Sequence, residues 1–485
     1  MSISKTEVIK SLIWKWLERC SVQVVTFIVT IILARILVPE DYGLIALVLV
    51  FVNLSNVIVD GGLNMALVQK KEADNVDFST IFYTNLLLAM FLYVLLFLSS
   101  GFIAQFYEKP ELVYVIRVIG VSLFFYAISS IQKAFLSRHL LFKKLFYSSL
   151  GAVLLSGVIS ICMAKMRYGV WALVVQNLTV QITITVIMWF TVNWKPQLVF
   201  SYERFKTLYN YGWKIFVTNF LINIFIDIRS LIIGKVYNPS SLGFFDRGKQ
   251  FPALIIENIN ASIQAVLFPV LSKEQDDVQK VKLMVKRSIR MNAFIVFPLI
   301  ICLLVIAEPL VLSLLTAKWL GTVVYVRIFC LAYLLMPMQV VNVQAIQSLG
   351  YSGTTLKLES LKKTIELVII MITVTISVEA VAWGIVLYNA ISLFINSKPN
   401  KKLLDYGIKE QIFDVAPILL ISMIMGVMTY LISFFHLSPW ATLCAQLLVA
   451  VLTYFFVSAA CQLEEFLYIK KIVLPYLHRD DSTRD

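Results

Sequence analysis

Apolar stretches of about 20 residues, the length that crosses a bilayer core as a helix, recur along the whole chain. Short polar turns separate them. Fourteen fall at 15–37, 43–68, 79–106, 111–132, 146–164, 170–191, 213–236, 250–271, 289–308, 322–347, 359–377, 380–397, 411–434 and 440–462. No segment shows the strict two-residue alternation of a barrel strand. The predicted fold is all-α and integral to a membrane. Pro252 and Pro269 interrupt the eighth stretch, and Pro337 stands inside the tenth, where it predicts a kink. The longest polar stretches are 192–212 and 272–288. The first mixes Phe205, Leu208, Tyr209 and Tyr211 with polar residues, which predicts an amphipathic surface helix joining two halves.

Charge sharpens this picture. The 485 residues are 59% hydrophobic and 15% charged, with a net charge of +13. With fourteen spans, 31 of the 42 lysines and arginines sort to alternate loops and the two ends. The positive-inside bias then places both termini in the cytoplasm. The positive balance is an orientation signal, and no nucleic-acid partner is expected. The run from Cys20 passes Arg35 and Pro39 with no small-residue cleavage pattern, so it reads as a retained first span. The six cysteines lie in or at the ends of apolar runs without metal-ligand spacing, and His139, His436 and His478 are scattered. No metal, no cofactor and no catalytic residue is expected.

The chain repeats itself. "ARILVPEDYG" (34–43) and "GKVYNPSSLG" (234–243) share a cation, then Pro four residues on and Gly eight on: Arg35, Pro39, Gly43 and Lys235, Pro239, Gly243. In both copies a span precedes the Pro turn, and a second span follows the Gly and ends in a cation. Six spans plus a linker separate the copies, so both have the same orientation. Two parallel bundles are an architecture that can rock about a central site. The predicted organisation is an N-lobe at 1–192, an amphipathic linker at 193–212, a C-lobe at 213–398, and two further helices with a cytoplasmic tail at 399–485.

The segments "LARILVPEDYGLIALVLVFVNL", "GGLNMALVQKK" and "IDIRSLIIGKVYNPSSLGFFDRGKQFPALIIENINASIQAVLFPVLSKEQDD" resemble the polysaccharide-transport family of bacterial flippases. That family belongs to the multidrug/oligosaccharidyl-lipid/polysaccharide exporter superfamily. The resemblance covers about residues 10–400 and is nearest the O-antigen, colanic-acid and teichuronic-acid exporters. The chain departs at Phe245, where the pattern has Tyr, and carries an unmatched Glu257. The resemblance implies two pseudo-symmetric six-helix lobes plus two C-terminal helices. It also implies export of polyprenyl-diphosphate-linked sugar units across the bacterial inner membrane. The partners implied are the lipid-linked glycan, membrane lipid and polysaccharide-assembly enzymes, and a monomer is expected.

Ionisable groups within spans are functional candidates, because each is costly unless paired or wet. Asp227 and Arg229 stand mid-way along the seventh stretch, either lining a cavity or joining a buried ion network. Lys15 and Arg19 share a face of the first helix. Arg35 stands at the edge of the first span, Asp60 beside Gly61-Gly62, Arg117 in the fourth span, Lys249 at the start of the eighth and Arg290 at the start of the ninth. Glu359 and Glu366 are expected to pack against Lys362 or Lys363. Arginine suits a diphosphate because its fork binds two oxygens. A cation-coupled drug exporter of the same fold would want more carboxylates in the first lobe than Asp60. A membrane polymerase or ligase would want an external loop of tens of residues, and none exceeds about 15. No phosphate-loop glycine pattern is present, so the chain does not hydrolyse nucleotide itself. Coupling to a proton or sodium gradient is left open.

Overall fold

The computed structural model describes residues 5–70 and 72–477. Lys71, His478, Arg479 and Arg484, which enter the charge and histidine readings above, lie outside the described residues. Among the described residues the chain forms eighteen α-helices. These are α1 (Lys5–Ile36), α2 (Pro39–Asp60), α3 (Leu63–Gln69), α4 (Asn75–Phe106), α5 (Leu112–Gly120), α6 (Ser122–Arg138), α7 (Phe142–Lys165), α8 (Val170–Thr191) and α9 (Tyr202–Val236). They continue with α10 (Pro239–Lys273), α11 (Val278–Leu314), α12 (Thr322–Leu334), α13 (Met336–Ser348), α14 (Ser352–Thr373), α15 (Val378–Leu404), α16 (Ile408–Leu431), α17 (Pro439–Ala460) and α18 (Glu464–Leu477).

Among the described residues, thirteen stretches are long and apolar enough to cross a membrane, which makes this a multi-pass integral membrane protein. The pairs α2–α3, α5–α6 and α12–α13 each form one such stretch. The expected span at 359–377 falls on α14, which is not among the thirteen. α14 carries Lys357, Glu359, Lys362, Lys363 and Glu366. Its ions pair along the helix as the spacing suggested, Lys362 with Glu359 at 2.5 Å and Lys363 with Glu366 at 2.8 Å.

Two local expectations change. Residues 202–212 form no separate surface helix. They are the first turns of α9, which Ser201 starts by accepting the amide of Arg204, and the helix runs unbroken to Val236. Pro252 and Pro269 do not interrupt α10, which is continuous from Pro239. Pro337 does break its span: α12 ends at Leu334 and α13 begins at Met336.

The chain divides into two compact units, Met1–Gly243 and Phe244–Asp485. In the first, Phe78, Phe135 and Trp194 pack edge and face, and Leu63, Leu67, Ile81 and Met188 are buried around them. In the second, α11 is the spine, and Ile289, Ala293 and Phe297 meet Val341, Ala345, Val415 and Ile418. Apolar contact gives helices in lipid little driving force, so polar pairs and close packing hold them together. Buried amides supply the polar part in this unit. Asn342 donates to Gln411 at 2.8 Å, and Gln411 and Asn400 donate back at 2.9 and 2.6 Å. At the Pro337 kink Asn389 donates to the Ala332 carbonyl at 2.9 Å, and Gln339 donates to the Asn389 carbonyl at 3.0 Å. The kink's freed backbone groups are thus met by neighbouring helices.

Replacing Asn342 by Leu leaves Gln411 and Asn400 buried with partners removed. The expected loss is about 1–3 kcal/mol per unsatisfied group, read as a lower thermal midpoint in detergent. An unchanged midpoint would show that the triad contributes nothing.

Candidate functional site

The two copies of the sequence repeat touch each other. A Cβ placed on Gly43 would lie 1.7 Å from the Pro239 carbonyl oxygen, and one on Gly243 would lie 2.2 Å from the Pro39 carbonyl oxygen. Both Gly–Pro contacts are within the first unit, and they are reciprocal. Only a residue without a side chain lets backbone meet backbone this closely. Gly234 on α9 adds a third close approach, with its Cβ direction filled by Leu47 of α2 at 2.2 Å. Ions surround this end. Lys109 pairs with Glu40 at 2.8 Å. Lys235 pairs with Glu108 at 3.1 Å and donates to the Phe106 carbonyl at 2.5 Å. Tyr107 donates to the Leu231 carbonyl at 3.3 Å, and burial pushes its phenol up to about 12, so it stays a donor.

A second crossing holds the far end of α9. Gly61 and Gly62 both take left-handed backbone, with φ of 53° and 69°, and break α2 from α3. A Cβ on Gly62 would meet the Gly212 carbonyl oxygen at 2.2 Å. Beside it, fully buried Asp77 receives Lys70 at 2.6 Å and Arg204 at 3.5 Å. Asp77 and Asp74 close a reciprocal cap at the start of α4, each accepting the other's amide, at 2.9 and 3.1 Å. Arg138 donates to the carbonyls of Leu67, Val68 and Lys70, finishing α3. The Asp77 amide, and then the charges of Arg204 and Lys70, hold the Asp74 carboxyl below its usual range.

Between these crossings α2 and α9 carry polar stripes. Asn53, Asn56 and Asp60 recur at three- and four-residue spacing, as do Asn219, Asn223, Asp227 and Ser230, so each set shares one face. Asn53 and Asn219 are exposed, and Asp60, Asp227 and Arg229 are half-buried. Arg229 lies about 200° round from Asp227 on the same helix. In the most apolar stretch of α9 no residue is buried.

The remaining sequence candidates are dispersed. Lys15 pairs with Glu18 at 3.0 Å, and Arg19 and Arg35 are exposed. Arg117 donates to Ser100 at 2.9 Å and stacks on Phe97 at 4.2 Å, which fixes α5 on α4. Lys249 is half-buried in the second unit. Arg290 there is held by Glu464 at 2.9 Å and Glu465 at 2.6 Å, from the start of α18. Among the described residues no group of three His, Cys, Asp or Glu side chains could hold a metal ion. The arrangement offers amides, paired charges and tight helix crossings.

This is a multi-pass membrane protein, and its fold has a solved counterpart. It superposes on the lipid II flippase MurJ, in an inward closed conformation, with a TM-score of 0.73 at 15% identity, over 93% of this chain and 98% of that one. Residues 32–324 match the family described as polysaccharide biosynthesis protein, and the chain belongs to that family. It is 24% identical over 284 residues to the teichuronic acid biosynthesis protein TuaB of Bacillus subtilis, covering 58% of this chain and 59% of the relative. It is 22% identical over 318 residues to the succinoglycan biosynthesis transport protein ExoT of Rhizobium meliloti, covering 66% and 64%. The chain thus spans less than two thirds of the length of either relative.

Sequence reading missed Asp77, Arg138 as a helix cap, and the Gly62–Gly212 crossing. "DNVD" (74–77) ahead of an apolar run is the signature of a reciprocal cap and could have revealed Asp77.

Gly43→Ala is expected to cost about 1–3 kcal/mol, because the obstacle is backbone. Gly101→Ala, with nothing within 4 Å, is the neutral comparison. Equal thermal midpoints for the two variants would refute the crossing. The Asp74 cap should also be acid-sensitive. Its folded pKa is depressed, so its stabilisation is present above the ordinary carboxylate value of about 3.9 and fades as pH falls through the folded one. The thermal midpoint should therefore drop less between pH 5 and pH 3 in Asp74→Asn than in the parent.

Proposed function

We propose that the protein is a flippase for polyprenyl-diphosphate-linked oligosaccharide, moving it from the cytoplasmic to the outer leaflet of the bacterial inner membrane. Two six-helix lobes alternate access to a wet, cationic path. α14 brings the crossings to fourteen and both termini are cytoplasmic. The protein is a carrier and not an enzyme. Family membership supports this reading, as do relatives named for teichuronic acid biosynthesis and for succinoglycan transport.

The observation that carries it is α9. This helix is apolar enough to cross a bilayer, yet it holds Asp227 and Arg229 in its last third and buries none of the described residues of its most apolar stretch. A lipid diphosphate must carry its charge across about 30 Å of hydrocarbon while its tail stays in lipid. Arginine beside that route lowers the cost, since the head exchanges water for fixed donors. In this reading Asp227 and Arg229 belong to the path, and Arg229 meets the diphosphate. Lys15 and Arg19 gather the head, and Arg35 and Asp60 line its way. Arg117 and Arg290 act through the helices they hold.

Deletion of the gene is expected to leave a lipid-linked sugar on the cytoplasmic leaflet. Arg229→Ala should restore export to a level lower by about tenfold or more, the effect of one lost charge-assisted contact, at unchanged protein level. Full export by Arg229→Ala would remove that residue from the path. No accumulated lipid-linked sugar, with drug sensitivity altered instead, would replace this reading by a drug exporter.

A further inference from the structure

We infer that the break between α2 and α3 is a sodium-ion site, built from the Asp60 carboxylate and the side-chain oxygens of Asn56 and Asn64. The three residues follow one another at four-residue steps, and Asn64 donates directly to Asp60 across the Gly61-Gly62 break. The Gly62 amide is the carboxylate's other donor. Both donors are neutral, and among the described residues no Lys or Arg pairs with Asp60. A carboxylate within an apolar span is costly unless its charge is met.

The amides show the same need from the other side. Asn56 Oδ1 and Asn64 Oδ1 are both buried, and neither has a hydrogen-bond partner. A buried acceptor without a donor costs about 1–3 kcal/mol. The orphan oxygen of Asn56 and the uncompensated carboxylate of Asp60 at the end of α2, with the orphan oxygen of Asn64 across the break on α3, are met together by one hard cation, which binds oxygen ligands. The break adds acceptors. A helix end leaves its last carbonyls without intrahelical donors, and at the end of α2 only Gly61 returns a bond, to Val57 at 3.1 Å. Interrupted membrane helices coordinate ions in this manner.

The charge count selects the ion. One carboxylate balances a monovalent cation and leaves a divalent one uncompensated. The 200-residue repeat points the same way. Asn260 and Gln264 stand at the repeat positions of Asp60 and Asn64, on the unbroken α10. Of the two amides only that of Asn64 has a counterpart, since Ile256 stands at the repeat position of Asn56, and the charge and the break occur in the first copy alone. Tyr126 of α6 is the titratable neighbour with which Asp60 interacts, and Lys133 lies 6.0 Å from that ring. Neither supplies an ion-pair partner at the break.

The test uses the purified full-length protein in neutral detergent at constant ionic strength, with choline chloride replaced by NaCl or KCl. Sodium should raise the thermal midpoint by roughly 2–4 °C at saturation, and potassium should not. Asp60→Asn should abolish the response, and Asn56→Leu should weaken it. Retention of radioactive sodium, lowered by about tenfold or more in Asp60→Asn, reads binding independently of stability. Equal responses to sodium and potassium, or a full sodium response in Asp60→Asn, would overturn the inference. So would a response to pH alone, which would make the site a proton carrier. No glycan enters this experiment, so its outcome is separate from that of the export assay.

Discussion

Helices in lipid gain little from apolar contact, so this chain depends on places where two backbones can meet. Gly43 against Pro239, Gly243 against Pro39, and Gly62 against Gly212 are such places. Each needs the absence of a Cβ, and each lies at one end of α2–α3 or α9. With these crossings held by glycine, the stretches between them can carry polar residues that pack poorly. The amide and carboxylate stripes on α2 and α9 occupy that middle. The fold thus separates the work: small residues join helices, and polar ones between them remain available.

The ions fall into two kinds. Lys70, Asp74, Asp77 and Arg204 neutralise one another at the ends of three helices, and Arg290 does the same with Glu464 and Glu465. These clusters hold loops and helix ends and leave little charge to offer a ligand. Asp60 differs, because its donors are neutral. Asp227 and Arg229 differ in position, since they stand within the last third of the least buried of the crossing helices. In the proposed function the charges that matter are those without local compensation or within an apolar span, and not charge as such.

Much of this was legible in the sequence because it is periodic. Runs of apolar residues announced the helices, and the Pro–Gly spacing announced the repeat. The kink at Pro337 followed from a missing amide. What the sequence hid was contact. Arg290 and Glu464 are 174 residues apart, and nothing local says that α18 returns to α11. That Gly43 and Gly243 meet through each other's proline carbonyls is a property of two helices at once. The surface helix expected at 193–212 was misread for a related reason. Its amphipathic pattern is real, but Ser201 starts one long helix and no proline follows before Val236. α14 shows the converse, where paired ions lower the apolar signal of a helix without breaking it.

The central claim is that the polar flanks of α2 and α9 face water within the membrane-crossing part of the chain. Cysteine placed at Asn53 or Asn219, in a variant lacking the six native cysteines, tests this directly. Labelling would be carried out in inside-out vesicles with a charged, membrane-impermeant thiol reagent. Both positions should react rapidly, while cysteine at Leu98, exposed on the apolar α4, should react only with an uncharged, lipid-soluble reagent. Failure of Asn53 and Asn219 to react with the charged reagent, alongside ready reaction with the lipid-soluble one, would place both stripes in lipid and contradict the account.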